Sequence, residues 1–462
     1  MKKMNEEDFR FLEKYNKPGP RYTSYPTAPM FSENFTADDF ISEIIETNKD
    51  ENASPISLYF HFLFCAKLCY FCGCNMRITS DRNLIARYND YLKREVLLIK
   101  KFLSKKRKVA QMHWGGGTPS YLLPDEIKDF GEFIRANFEF SADAEIGVEI
   151  DPRGLTKEHM EAFRSVGFNR ISMGVQDFDP KVQRAINRIQ TEEITKRAID
   201  WARQLGFESV NIDLIYGLPH QTLESFSITV DKTIQMSPDR VAVFNYAHVP
   251  WLKKHQKLIK AEDLPKAEEK LKILKMTIEK MTSAGYEYIG MDHFAKSTDE
   301  LAIAQKNNSL HRNFQGYSTK AGCDVYAFGV SAISQFENIY AQNTKDLKEY
   351  FERIGAGRPA TKVGYRMSAD DRIRKETIMQ LMCHLKIDKR KIEQKFGIRF
   401  DEYFADSITQ LETFIADGLV ENKKDEIRVK EYGKFVIRNI AMCFDAYLQK
   451  IMAEKPIFSK TV

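Results

Sequence analysis

Four of the seven cysteines fall within ten residues, in the run Cys65-Ala-Lys-Leu-Cys69-Tyr-Phe-Cys72-Gly-Cys74, while Cys323, Cys383 and Cys443 stand alone. A single loop thereby presents three or four thiolates to one region, as a centre with soft metal ligands requires. Structural zinc would want two separated ligand pairs. No second pair exists, and no histidine follows at finger spacing. Inert buried cysteines would scatter, as the other three do. The run points to an iron–sulfur or similar redox-metal role. Three ligands at CxxxCxxC spacing would leave one iron of a four-iron cluster without a protein ligand, the open position that a catalytic metal site keeps.

The elements around this loop alternate. Short β-rich runs at 57–62, 109–114, 145–150, 170–175, 210–216 and 240–246 are separated by stretches of helical spacing such as 82–102 and 191–207. These strand–helix repeats predict a parallel sheet with crossover helices, open or closed into a barrel, and the runs 286–294 and 325–333 extend it. Such sheets place their sites at the carboxyl ends of the strands. In chain order those ends carry the cysteine loop; Gly115-Gly116-Gly117-Thr118-Pro119; Glu149, Asp151 and Arg153; Gln176 and Asp177; Asp213; and Asn245 and His248. One shared site would look like this. The glycine run lacks the lysine of a phosphate loop and does not fit the dinucleotide fingerprint. It reads either as a tight turn or as a place where a cofactor meets backbone amides. Glu149 and Asp213 read as salt-bridged barrel residues or as ligand-binding carboxylates. His61 and His113, inside strand patterns, read as core or as supports behind the ligands rather than as ligands, and Trp114 reads as core.

Before the sheet, residues 1–48 hold a short polar helix, an extended arm at 18–29 (PGPRYTSYPTAP) and a helix at 37–48. Residues 49–360 form the barrel domain. From 361 to 462 helical patterns dominate, at 369–385, 390–397, 400–419 and 431–451, with a hairpin at 419–429; this predicts a mostly helical, winged-helix-like domain. With 70 Lys+Arg against 65 Asp+Glu the charge is balanced, no basic stripe supports nucleic-acid binding, and the basic run 100–108 reads as the solvated end of a helix. No secretory signal opens the chain and no apolar run approaches a membrane span. The low, odd cysteine count excludes a disulfide scaffold and suits a reducing cytoplasm.

The CxxxCxxC loop resembles that of radical S-adenosylmethionine (SAM) enzymes. The segments 59–75, 113–122, 147–153, 171–178, 211–219, 244–250, 291–295, 311–317 and 328–334, with GPRYTSYPT (19–27) and IRNIAMCFDAYL (437–448), resemble the oxygen-independent coproporphyrinogen III oxidase family across nearly the whole chain. The resemblance implies a partial (β/α)6 TIM-like barrel with a C-terminal helical domain. It implies Cys65, Cys69 and Cys72 as ligands of a [4Fe–4S] cluster, with Cys74 a motif residue but not a ligand. Tyr59, Gly116, Glu149 and Ile333 match contacts to the cluster-bound SAM, Tyr59 and Glu149 being taken as catalytic. Phe71, Gly117, Thr118, Gln176, Arg188, Asp213 and Ala247 match contacts to a second SAM. The implied reaction converts two propionates of coproporphyrinogen III to vinyl groups in a monomer fed by an electron donor such as flavodoxin or ferredoxin. Arg21 on the arm and Arg312 are candidates for the substrate carboxylates. This sequence departs from the family where Phe62-Leu63-Phe64 precedes Cys65 without the frequent proline, and at Ala66. Related haem-trafficking proteins and a radical methyltransferase that opens haem share the barrel and cysteines. The Cys72-Gly-Cys74 pair, the arm and the C-terminal match favour the oxidase.

Overall fold

A computed structural model describes residues 11–50, 53–454 and 458–461. The central parallel strands are β1 (Ile56–Phe62), β2 (Val109–Gly116), β3 (Phe140–Ile150), β4 (Arg170–Gln176), β5 (Ser209–Tyr216) and β6 (Arg240–Asn245). They pair in chain order, each parallel to the next. Crossover helices include α1 (Arg82–Lys100) after β1, α2 (Pro124–Asn137) after β2, and α3 (Glu192–Gln204) between β4 and β5. Their starts are set by short polar caps: Asp81 accepts from Leu84 N–H at 3.1 Å and Thr191 from Ile194 N–H at 3.4 Å.

The strands alternate, unlike those of a parallel sheet apolar on both faces. Leu58 and Phe60, Met112 and Trp114, Ile146 and Val148, and Ile212 and Leu214 join the large apolar core, with Trp114 fully buried. Their neighbours Tyr59, His113, Glu149 and Asp213 face cavities on the other side. The helices cover the first set, and the second lines an open, polar interior. A period-2 pattern thus separates core from site.

Two runs expected to extend the sheet as single strands are each folded in two. Residues 286–294 become a hairpin of Tyr286–Gly290 and His293–Lys296, the latter antiparallel to β6. Gly290 (φ +148°) and Met291 (φ +49°) turn it. Residues 325–333 give Asp324–Phe328, parallel to β1, and then Ile333–Gln335 running back. Gly329 (φ +100°) permits that turn, and a Cβ there would lie 2.6 Å from the Tyr88 hydroxyl. The basic run after α1 is not wholly solvated either. Arg107 is buried, pairs with Asp324 at 2.7 Å and donates to the Ser54 carbonyl at 2.7 Å.

The C-terminal part carries Ala369–His384, Lys389–Phe396 and Ala405–Ala416 as helices, with a three-stranded sheet of 386–388, 426–429 and 420–422. The stretch expected as one helix over 431–451 breaks at Asp445, whose carboxylate accepts from Tyr447 and Leu448 N–H. Tyr15, with Tyr22 and Tyr25 of the arm, shares one apolar cluster with Leu381, Phe404 and Phe444. Arg438 donates to the Pro20 carbonyl at 2.9 Å and also to the Gly19 carbonyl, so the arm is fastened to the C-terminal helices. The short polar helix expected before the arm falls largely outside the described residues, which begin with a 3-10 turn at Phe11–Tyr15. No helix of the described residues is long and apolar enough to cross a membrane.

Candidate active site

The cysteine loop leaves the C-terminal end of β1 and is closed at its base by a short parallel ribbon pairing Phe64 with Arg77 and Cys65 with Ile78. The glycine run fixes it to β2. Gly117 N–H donates to the Phe62 carbonyl at 2.6 Å, Thr118 N–H to the Phe64 carbonyl at 3.0 Å, and the Thr118 hydroxyl to Cys65 Sγ at 3.2 Å. A Cβ on Gly117 would lie 2.7 Å from two backbone carbonyl oxygens, so this position must stay bare.

Cys65, Cys69 and Cys72 line one cavity of about 190 Å³ together with Phe71, Gly116, Gly117, Thr118, Glu149, Gln176, Arg188 and Asp213. Among the described residues, no three His, Cys, Asp or Glu side chains close on a point where one ion would sit. A [4Fe–4S] cluster asks for something else, since each thiolate holds a different iron. Two cations face the sulfurs: Arg153 donates to Cys69 Sγ at 3.5 Å and Arg188 at 3.7 Å. Asp151 orients both, at 2.6 Å from Arg153 and 3.3 Å from Arg188. Burial pushes the Cys65 thiol up to about 12. The Cys74 thiol and N–H, with Lys253 and Arg188 nearby, draw the Cys72 thiol toward the thiolate against burial. Buried Gln176 Oε1 and Arg188 Nε have no protein partner. Three sulfurs and two unspent buried polar atoms in one cavity fit a cluster with a polar ligand on its open iron.

Glu149 lines this cavity and two adjoining ones of about 290 and 210 Å³. Its carboxylate accepts from Gly116 N–H at 3.1 Å and from His113 Nε2 at 3.3 Å. Burial opposes its charge, yet His113 and the Gly116 N–H hold it below the usual carboxylate range. Asp213 accepts from Asn211 at 2.7 Å and Ser172 at 3.3 Å, and burial with the nearby Glu149 charge pushes it up to about 7. Gln176 reaches the cavity from a left-handed backbone (φ +71°) at an irregularity in β4. Tyr59 and Ile333 line the second cavity, where the Tyr59 hydroxyl hydrogen-bonds His61 Nδ1 at 3.2 Å.

Asp177, Asn245 and His248, expected at the strand-end site, line none of these three cavities, and three further named residues lie elsewhere. Ala247, in the loop after β6, lines neither of the first two cavities. Arg21 pairs with Asp292 at 2.6 Å and donates to the Asn245 carbonyl at 3.3 Å. Arg312 is buried over the Tyr317 ring at 4.7 Å, and its Nε and Nη1 have no partner. Tyr317 and Phe244, beneath these two arginines, both line the third cavity. His113 faces the cavities beside Tyr59 and stands behind Glu149, and His61, deeply buried, also reaches the second cavity. Asn313, Phe314 and Gln315, at the tip of a hairpin joining His311–Asn313 to Gly316–Ser318, also line it. The one signal for them was a polar turn ending in glycine.

A polar-lined partial barrel of six parallel strands, extended by further strands at both sides, with a three-cysteine loop after its first strand, defines a radical SAM enzyme. Residues 59–232 match the Radical SAM superfamily, and residues 367–436 match the HemN C-terminal domain. The chain is 46% identical over 455 residues to the oxygen-independent coproporphyrinogen III oxidase of Salmonella typhimurium, covering 98% of each chain. It is 44% identical over 460 residues to that of Helicobacter pylori J99, covering 99% of this chain and all of the other. The solved Escherichia coli coproporphyrinogen III oxidase (HemN), described as a radical SAM enzyme, superposes with a TM-score of 0.90 at 45% identity, over 95% of this chain and 98% of that one. The chain belongs to the oxygen-independent coproporphyrinogen III oxidase family of radical SAM enzymes.

Proposed function

We propose that the chain converts two propionates of coproporphyrinogen III to vinyl groups without oxygen, giving protoporphyrinogen IX. The supporting observation is that Cys65, Cys69, Cys72 and Glu149 share one cavity, in a chain 46% identical over 98% of its length to oxidases of that name. A [4Fe–4S] cluster and SAM, when bound, supply the 5′-deoxyadenosyl radical that takes one hydrogen atom from each propionate β-carbon. The propionate then loses CO₂, and an external acceptor takes the remaining electron.

The chain's residues divide the rest of the work. Cys65, Cys69 and Cys72 would hold a cluster through three of its irons. Tyr59, Gly116, Glu149 and Ile333 would bind SAM beside it, and Glu149, kept ionised, would accept from a SAM amino group. Phe71, Gly117, Thr118, Gln176, Arg188, Asp213 and, from the loop after β6, Ala247 would contact a second SAM. Arg312 pairs with a substrate carboxylate, the partner its buried guanidinium lacks. Arg21 offers a second cation once it exchanges Asp292 for substrate. The resemblance makes a monomer the working unit of this reading. Its reduced thiols suit the cytoplasm.

The test is an anaerobic assay of the reconstituted protein with SAM, dithionite, an electron acceptor and coproporphyrinogen III. Protoporphyrinogen IX with 5′-deoxyadenosine is the expected product pair. Deoxyadenosine without decarboxylated porphyrin would remove the substrate assignment.

A further inference from the structure

The outer face of the cysteine loop is clasped by two other stretches. From 180–190, Asn187 donates to the Leu68 carbonyl at 2.7 Å, and the Ile186 carbonyl accepts from Tyr70 N–H at 3.0 Å. From 250–260, Lys253 donates to the Cys74 carbonyl at 3.0 Å, His255 to that of Cys72 at 2.7 Å and Gln256 to that of Phe71 at 2.9 Å. The surface they build has two unusual properties.

It is apolar where a surface need not be. Ile189 (56% exposed), Leu252 (54%), Leu258 (58%) and Trp251 (54%) are four of the five most exposed large apolar side chains among the described residues. It is also of one sign. The stretches 65–78, 180–190 and 250–260 contain Lys67, Arg184, Lys253, Lys254, Lys257 and Lys260 among their cations and not one Asp or Glu. None of these six has a carboxylate within ion-pair distance among the described residues, whereas Arg170, Arg240 and Lys280 elsewhere on the barrel do. Exposed apolar side chains ringed by unpaired like charges mark an interaction site rather than a solvated face.

We propose that this face docks a small acidic one-electron carrier protein, which reduces the cluster through the cysteine loop. The inference rests on the reading that the loop holds the cluster. In this step one electron leaves the reduced carrier and lowers the cluster from 2+ to 1+; no bond forms or breaks. Electron transfer needs close approach, and Lys67 with the clasping stretches is the protein surface next to the sulfurs. The cations steer an anionic partner, and the small apolar patch suits a contact that must form and release at each delivery.

The test uses the reconstituted enzyme and an acidic flavodoxin, comparing wild type with K254E/K257E, L258S and K424E. Lys424 is exposed on the C-terminal hairpin and serves as control. The Kd for oxidised flavodoxin, by titration, should rise at least tenfold in K254E/K257E and severalfold in L258S, and stay unchanged in K424E. The fall of binding with salt should be shallower in K254E/K257E. SAM cleavage driven by dithionite should be equal in all four proteins, whereas cleavage driven by photoreduced flavodoxin should show the raised KM. Equal flavodoxin Kd and KM in all four would overturn the docking face while leaving the cluster assignment intact. A self-association lost in K254E/K257E with flavodoxin kinetics unmoved would assign the patch to a second copy and overturn it too. Failure of dithionite to drive cleavage in wild type would remove the cluster reading and the inference together.

Discussion

The Glu149 carboxylate occupies the space that a side chain on Gly115 would need: a Cβ there would lie 2.8 Å from Glu149 Oε1. The same carboxylate is held by the Gly116 N–H. The glycine run therefore positions an ionised acid at the meeting of three cavities. Gly115→Ala should push Glu149 aside and Glu149→Gln should remove its charge. Hydrogen bonds to a charged group contribute about 1.5–3 kcal/mol, so each variant should weaken SAM binding about 10–100-fold. Equilibrium binding of SAM with cluster iron held constant checks this; unchanged affinity in both variants would remove Glu149 from the SAM site.

Serine in place of a ligand cysteine should deplete the cluster. Cys65→Ser, Cys69→Ser and Cys72→Ser should each lose most of the bound iron and all SAM cleavage. Cys74→Ser should retain iron, because its hydrogen bond to Cys72 Sγ comes from the backbone N–H, which serine keeps. Iron analysis and the spectrum of the reduced cluster separate the two groups. Full iron content in Cys69→Ser would refute the ligand set.

The two candidate arginines should differ. Arg312 is buried with two unpartnered nitrogens, whereas Arg21 already has Asp292. Arg312→Ala should raise the KM for coproporphyrinogen about 10–100-fold, the range of a charge-assisted pair. Arg21→Ala should raise it less, since its salt bridge offsets part of the gain. SAM cleavage without substrate should be untouched in both. Unaltered substrate KM in Arg312→Ala would mean that its guanidinium serves packing alone.

One residue far from the chemistry should contribute a fall in stability as pH rises. Glu95 on α1 accepts from Gly329 N–H at 2.8 Å, the Tyr350 hydroxyl at 2.7 Å and Asn343 at 2.7 Å. Burial nevertheless pushes its carboxyl from 4.5 up to about 7. Between those values the folded chain holds a proton that the unfolded chain has released, so folding weakens by up to about 3 kcal/mol from pH 4.5 to 7 and no further above. Glu95→Gln, which does not titrate, should lose that component of the slope. Urea midpoints of the two proteins at pH 5, 6 and 7.5 test it, and parallel curves would reject it.

The cysteine loop, the six strands and the residues at their carboxyl ends were legible in the sequence because each follows a local rule. Thiolate spacing is a property of one loop, and strand period is a property of six residues. Side-chain direction then follows from the period: Tyr59 faces inward because Leu58 and Phe60 must face the helices. Glu149 and Asp213, left between salt bridge and ligand contact by the sequence, both proved to line the cavity that holds the three sulfurs.

What depends on distant pairs was decided only in three dimensions. Arg107 reads as a solvated cation until Asp324, more than two hundred residues on, meets it. The arm reads as a separate preface until Arg438 and the C-terminal aromatic cluster hold it. His113 stays between core and support for a ligand because a strand pattern does not say what fills the inside of an open barrel; the structure puts its ring beside Glu149. The lysines of 250–260 have no stated function along the chain. Their place against the cysteine loop comes from three hydrogen bonds to the carbonyls of Phe71, Cys72 and Cys74, and no local pattern announces a backbone acceptor 180 residues away. Local sequence thus determined which chemistry this chain carries. Long-range contacts determined where its cations stand, because the partners that neutralise, bury or expose a charge are chosen by packing.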